Sequence, residues 1–171
     1  VIISAKNEED NLRKIIPIVC EQEYPDYEVI VINDQSEDDS HYVLEEFSML
    51  YSHLKIVTVD HHVREFGGKK FALTLGIKAS KNEIILLTDA DCRPVSKHWI
   101  AQMQKPFSNP ETEIVLGYSP YQKSLNPLNF FIQFETCYTA CHYLSSALAG
   151  NPYMGVGRNL AYTKTRICCI K

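Results

Sequence analysis

Asp89-Ala90-Asp91 follows directly on Ile84-Ile85-Leu86-Leu87-Thr88, so two negative charges arrive abruptly at the end of a run that is apolar and partly β-branched. Such a run reads as a strand buried on both faces, as in a parallel sheet. In extended chain, residues i and i+2 point to the same side, which lets Asp89 and Asp91 aim at one hard cation that a diphosphate also ligates. The triplet alone is weak, because Asp-x-Asp is common and loop or N-cap aspartates look the same. Two other strand-like runs also end in acceptors. Val1 to Ser4 leads into Ala5-Lys6-Asn7-Glu8-Glu9, and Val29 to Ile32 leads into Asn33-Asp34-Gln35-Ser36. In a parallel sheet these ends share one edge, where ligands of open α/β sheets bind, so Glu8, Asp34, Asp89 and Asp91 converge on one crevice. Asp34 directly ends its strand, and its carboxylate can accept from a nucleobase N–H or a ribose hydroxyl. Asp38 and Asp39 read instead as complements to the dipole of the following helix, and Glu8 and Glu9 also suit a helix N-terminus.

The elements that must position these groups alternate. Leu12, Ile15, Ile16 and Val19 fall at helical spacing from Glu8 onward, and the helix stops before Tyr24-Pro25. After the second strand, Val43, Leu44, Phe47 and Leu50 form the inward stripe of another helix, with its start marked by Ser36 and Asp38-Asp39. Lys55 to Val59 predicts a third strand, Lys69 to Ala79 a short helix after the Gly67-Gly68 pair, and then comes the strand before Asp89. The order β-α-β-α-β-α-β implies an α/β domain with a mostly parallel sheet, helices on its faces and right-handed crossovers. Further on, a strand is expected over Glu113 to Tyr118, a long aromatic-rich helix over Leu128 to Leu148, and a glycine-rich segment from Gly150 to Gly157. Gln133, Glu135 and His142 interrupt the long helix, whereas a membrane span needs ~20 predominantly apolar residues. Packing in the core is the preferred reading of that helix, with rest on a membrane surface as the alternative.

The 171 residues make one domain, and the net charge of −4 speaks against nucleic-acid binding, which favours a basic face. The six cysteines show no paired metal-ligand spacing, Cys168 and Cys169 are adjacent, and a reducing compartment is expected. Cys137 and Cys141, four apart on the long helix, read as buried. The chain has no starting Met and no secretory signal, as in an excised piece. A dinucleotide-binding turn is excluded because Ser4-Ala5-Lys6-Asn7-Glu8 contains no glycine, and Gly67-Gly68-Lys69 lacks the spacing of a phosphate-cradling loop. Phosphate charge must then be met by a metal and an isolated lysine.

Five segments in register resemble the family 2 glycosyltransferases of GT-A fold. They are Val-Ile-Ile-Ser-Ala-Lys-Asn-Glu-Glu (1–9), Glu-Val-Ile-Val-Ile-Asn-Asp-Gln-Ser (28–36), Gly-Lys-Lys-Phe-Ala-Leu-Thr-Leu-Gly-Ile (68–77), Leu-Leu-Thr-Asp-Ala-Asp (86–91) and Gly-Val-Gly-Arg-Asn-Leu-Ala-Tyr (155–162). The resemblance implies transfer of a sugar, hexosyl or N-acetylhexosaminyl, from a nucleotide diphosphate sugar such as a UDP-sugar to a hydroxyl on a carbohydrate or lipid acceptor, with inversion. It implies donor contacts from Ser4, Glu8, Asp34, Lys69 and Asp89, a Mg²⁺ or Mn²⁺ held by Asp91, and a sugar and acceptor side lined by Gly157, Arg158 and Asn159. Residues 1–91 would form the nucleotide-sugar half, and 92–171 an incomplete acceptor-side half. Two positions depart from the family pattern: Asn33 stands where an acid is common, and Thr74 where Asn is common.

The implied chemistry is an in-line displacement in which the acceptor hydroxyl loses a proton to a carboxylate base. That base, and the catalytic role with it, is expected beyond Lys171, since Glu135 reads as solvent-facing; the fragment is therefore expected to lack it. The resemblance also implies a role in polysaccharide or glycolipid synthesis and a parent tethered at the cytoplasmic face of the membrane, as is often the case for members with a helix like 128–148. The alternatives are a nucleotidyltransferase, which would carry a Gly-rich basic loop after the first strand, and a non-catalytic sugar-nucleotide-binding module.

Overall fold

The structure, a computed structural model, describes residues 1–59 and 68–165. Six strands form one sheet in the order β3-β2-β1-β4-β6-β5, with β1 Ile2–Ala5, β2 Val29–Asp34, β3 Leu54–Val59, β4 Ile84–Asp89, β5 Ile114–Leu116 and β6 Leu160–Thr163. The first four are mutually parallel, with Ile3 opposite Val31 and Thr88. β6 runs antiparallel to β4, and β5 antiparallel to β6.

Period-two alternation divides the strand residues between two faces. Ile3, Ala5, Val29, Val31 and Leu86 pack on one face with Leu12, Ile15, Ile16 and Val19 of α1 (Glu9–Cys20), Val43 and Leu44 of α2 (Ser40–Leu50), and Trp99, Ile100 and Met103 of α4 (Trp99–Gln104). Ile2, Ile30, Ile32, Ile85 and Leu87 pack on the other with Ala72 and Ile77 of α3 (Lys69–Ala79). α3 lies very close to the sheet because residue 76 is glycine: a Cβ there would stand 2.7 Å from Ile32 Cδ1 and 2.8 Å from Ile2 Cγ2. Below the sheet's opposite edge, the buried Glu28 carboxylate accepts from the Lys81 amide at 2.6 Å, from the Asn82 amide at 3.2 Å and from Lys55 Nζ. Burial pushes the Glu28 pKa upward, and the lysine and the two amides outweigh it, leaving the carboxyl below its ordinary range.

Two expectations about the second half are corrected. The long helix, α5 (Pro127–Leu148), buries only Ala140 and Tyr143 among its residues and leaves Phe130, Phe131, Phe134 and Tyr138 exposed, so it does not pack as a core helix. Its apolar residues are spread around the helix and form no single stripe, so few can face the sheet at once. Cys137 and Cys141 are exposed for the same reason. Among the described residues no helix is long and apolar enough to cross a membrane. β6 and α4 were not anticipated: β6 is a four-residue strand directly after the glycine-rich segment, and α4 a six-residue helix.

Candidate functional site

At the carboxyl edge of the parallel strands lies an open cleft of about 550 Å³, lined by Ser4, Lys6 and Glu8 after β1, Asp34 and Gln35 at the end of β2, Gly68 and Lys69 at the start of α3, and Asp89, Ala90 and Asp91 at the end of β4. Ser4, Glu8, Asp34, Lys69, Asp89 and Asp91, spread over 88 positions of sequence, thus face one space. Parallel pairing causes the convergence, because every strand leaves the sheet on the same side.

The β1 and β2 loops are tied together by side-chain to backbone bonds that hold Glu8 next to Asp34. The Asn7 amide donates to Ser36 Oγ at 2.9 Å, and the Glu37 amide returns to Asn7 Oδ1 at 2.7 Å. The Glu8 amide donates to Ser40 Oγ at 3.2 Å, and Asp38 accepts from the Glu9 amide at 3.1 Å and from the Ser40 amide at 3.1 Å. Asn7 and Gln35 both adopt left-handed backbone, φ 54° and 55°, which turns each chain sharply away from its strand. Asp38 is therefore more than a dipole complement: it joins the first turns of two helices, and its carboxyl, which burial would raise, is held low by those hydrogen bonds. Asn7, Ser36, Asp38 and Ser40 were missed as positioning residues by the sequence reading. The one signal for them is their small polar type in the two loops that follow β1 and β2. Glu8 itself accepts from Asn11 Nδ2 at 2.6 Å.

The far wall is cationic. Gly68, at φ +132°, takes a backbone that residues with a Cβ rarely adopt and opens α3 directly on the cleft. Lys69, in the first turn of α3, places Nζ 2.6 Å from Asp89 Oδ1. A lysine there opposes the helix dipole, yet it adds a full charge to the positive end of a helix, a combination suited to a bound anion. Lys70 is exposed, and Thr74 Oγ1 donates to the Lys70 carbonyl at 2.8 Å.

Asp89 and Asp91 do not share the one extended strand that the i, i+2 spacing predicts. β4 ends at Asp89, and Asp91 sits in a turn closed by the Cys92 amide on the Asp89 carbonyl at 3.1 Å. The turn, rather than strand alternation, brings both carboxylates to the cleft. Asp89 is committed to Lys69, whereas the exposed Asp91 has no ion pair among the described residues and meets only the Cys92 thiol, at 3.5 Å. Burial pushes that thiol's pKa up to about 11, with Asp91 adding to the rise, so it stays protonated. No three His, Cys, Asp or Glu side chains cluster as a cage among the described residues. The unpaired Asp91 carboxylate is a hard oxygen donor of the kind that would suit Mg²⁺ or Mn²⁺.

Gly157, Arg158 and Asn159 do not line this cleft. They form a 3₁₀ turn leading into β6 and contact β4 from the side opposite β1. Both ends of the Asn159 amide are engaged: Oδ1 accepts from Trp99 Nε1 at 3.0 Å and Nδ2 donates to the Tyr118 carbonyl at 3.2 Å. Glu135 is exposed on α5, as expected.

The alternating, mostly parallel α/β sheet with its carboxylate-lined carboxyl edge is the architecture of GT-A glycosyltransferases. The chain belongs to glycosyl transferase family 2, whose model matches residues 1–149. It is similar to glycosyltransferase AglE of Haloferax volcanii, 32% identical over 119 residues that cover 68% of this chain and 38% of that protein. It is also similar to a beta-monoglucosyldiacylglycerol synthase of Trichormus variabilis, 35% identical over 98 residues, covering 56% of this chain and 20% of that one. Among solved structures, the mannosyltransferase PcManGT of Pyrobaculum calidifontis in complex with GDP-Man and Mn²⁺ superposes with a TM-score of 0.69 at 21% identity, over 94% of this chain and 43% of that chain. Glucosyl-3-phosphoglycerate synthase of Mycobacterium tuberculosis, in complex with Mn²⁺ and UDP-glucose, superposes at 0.61 with 15% identity, over 96% and 55%. The chain thus spans well under half the length of these curated relatives.

Proposed function

We propose that this chain carries the donor site of a sugar transferase that uses a nucleoside diphosphate sugar, in our reading a UDP-sugar, and a hydroxyl acceptor, with inversion at the anomeric carbon. The observation that supports it best is the gathering of Glu8, Asp34, Lys69, Asp89 and Asp91 around one cleft at the carboxyl edge of a family 2 fold. Residues 1–91 form the nucleotide-sugar half in this reading, and the segment from 92 onward begins the acceptor half. Asp34, buried at the cleft floor, and Glu8 accept hydrogen bonds from the nucleoside. Asp89, oriented by Lys69, meets the ribose or the sugar. Lys69 and the α3 N-terminus neutralise the phosphates, and Asp91 holds the divalent cation. When bound, that cation supplies Lewis-acid stabilisation of the diphosphate leaving group. Proton removal from the acceptor falls to a carboxylate outside these groups. A relative that synthesises beta-monoglucosyldiacylglycerol and the exposed aromatic helix support a lipid-linked acceptor and action beside a membrane.

Calorimetric titration with UDP, GDP, CDP and ADP, each with and without MnCl₂, tests the reading. One nucleotide should bind in a Mn²⁺-dependent way, and Asp91→Asn should weaken it by about tenfold or more at an unchanged melting temperature. Equal affinity in Asp91→Asn, or no Mn²⁺ dependence, would refute the metal-diphosphate assignment.

A further inference from the structure

The long helix α5 carries a patterned seam. Phe130, Phe134, Cys137, Cys141, Leu144 and Leu148 recur at intervals of four, three, four, three and four residues. An alternation of three and four, with a mean of about 3.5 residues, keeps a stripe of side chains aimed at a second helix that winds slowly around the first. A lipid surface imposes no such spacing. The seam is open: Phe130 is 75% exposed, Phe134 60% and Leu148 91%, Cys137 and Cys141 are exposed, and Leu144 is half-buried. α5 meets its own domain through other residues, the buried Ala140 and Tyr143, with Tyr143 Oη donating to the Gly117 carbonyl at 3.2 Å.

The six positions are also self-complementary. They are symmetric about residue 139, so a second α5 turned end for end sets Phe130 against the partner's Leu148, Phe134 against the partner's Leu144, and Cys137 against the partner's Cys141. Each outer layer then holds one aromatic ring and one leucine, and the small thiols meet at the centre. A parallel pair would instead stack Phe on Phe in two neighbouring layers and Cys on Cys in the next two, which alternately overfills and underfills the seam. The borders allow close approach. Gln133, Ala140 and Ala147 stand on one side and Phe131, Tyr138 and Ser145 on the other, and none of them is charged. Charges at such bordering positions are what steer a helix toward an unlike partner, and without them a copy of the same helix meets no repulsion. α5 also contains no Lys or Arg, the groups with which an interfacial helix holds anionic lipid, so another helix is the better occupant of the seam.

We propose that α5 is a self-association surface through which two copies of this chain pair antiparallel, about a two-fold axis beside residue 139. The seam offers on the order of 500 Å² per chain, less than the roughly 800 Å² a side of a standard stable interface, so the dimer is weak and reversible. Pairing through α5 is independent of the sugar-transfer reading.

Sedimentation velocity of the 171-residue chain, kept reduced, from about 1 µM to about 500 µM reads the association directly. The mass should rise with concentration from 19.6 kDa toward twice that value. Phe134→Glu, which places a charge inside the seam, should weaken association about tenfold or more, whereas Glu135→Lys, exposed beside the seam, should leave it unchanged. Phe130→Glu and Leu148→Lys should each weaken association alone, and an equimolar mixture of the two chains should recover it, because antiparallel pairing brings positions 130 and 148 together. A parent chain that stays monomeric at about 500 µM, a Phe134→Glu chain that associates like the parent, or a mixture no better than its components would overturn the proposal. Cosedimentation with phosphatidylglycerol vesicles by a chain that never dimerises would assign the face to lipid and overturn it as well. The first result is read on the parent chain, so a variant that fails to fold does not remove the test.

Discussion

The two flanks of β4 are built differently. On the β1 side, strands buried on both faces lie between helices, and Ile3, Leu12, Ile15, Ile16, Val29 and Ile30 are fully buried. On the β6 side, two short antiparallel strands and a 22-residue helix bury little: Phe130 is 75% exposed and Leu148 91%. The first flank carries the carboxylates that must hold fixed geometry, and the second carries Arg158 and a broad apolar surface. Rigid packing and precise polar placement go together because a carboxylate at a strand end is only as well placed as its strand.

That contrast can be broken from either side. Leu12→Ala in α1 should cost about 2–5 kcal/mol by denaturant unfolding, since it opens a cavity between two packed layers. Glu28→Gln should cost about 1–3 kcal/mol at neutral pH through weakened charge-assisted bonds. The acid dependence has a definite sign. The unfolded chain protonates Glu28 near its ordinary value of 4.5 and the folded chain at lower pH. Between these values the unfolded state binds more protons, so the Glu28 contribution is complete above 4.5 and lost as pH falls through the lower folded value. The gap between parent and Glu28→Gln should therefore close on acidification, and a gap that stayed constant to pH 2 would discount the ion pair. Asp38→Ala should weaken Mn²⁺-dependent nucleotide binding by about fivefold, about 1 kcal/mol, with a smaller effect on melting, because it loosens the clamp that sets Glu8 beside Asp34. Phe131→Ser on α5 should change stability by less than about 0.5 kcal/mol. A large loss there would show that the exposed helix face is covered in solution.

Much of the β1 flank was legible in the residues. β-branched runs at 29–32 and 84–87, helical spacing at Leu12, Ile15, Ile16 and Val19, and acceptors at three strand ends are local patterns. The β6 flank was less so. β6 pairs with β4 from more than 70 residues away, and no local period announces a four-residue antiparallel strand. α5 looked like a core helix because it is rich in aromatic residues, but composition does not say which face meets a neighbour.

By itself the sequence determined the alternating order of strands and helices, the parallel sense of the main sheet, and the position of Glu8, Asp34, Asp89 and Asp91 at strand ends, because side-chain periodicity and breaker residues act over a few positions. Only the tertiary structure decided that Asp89 is held by Lys69 while Asp91 has no ion pair among the described residues, that Asp38 and Ser40 clamp the Glu8 loop, and that Arg158 stands across β4 from Glu8 and Asp34. These are relations between segments 20 to 70 residues apart, set by how the strands pair.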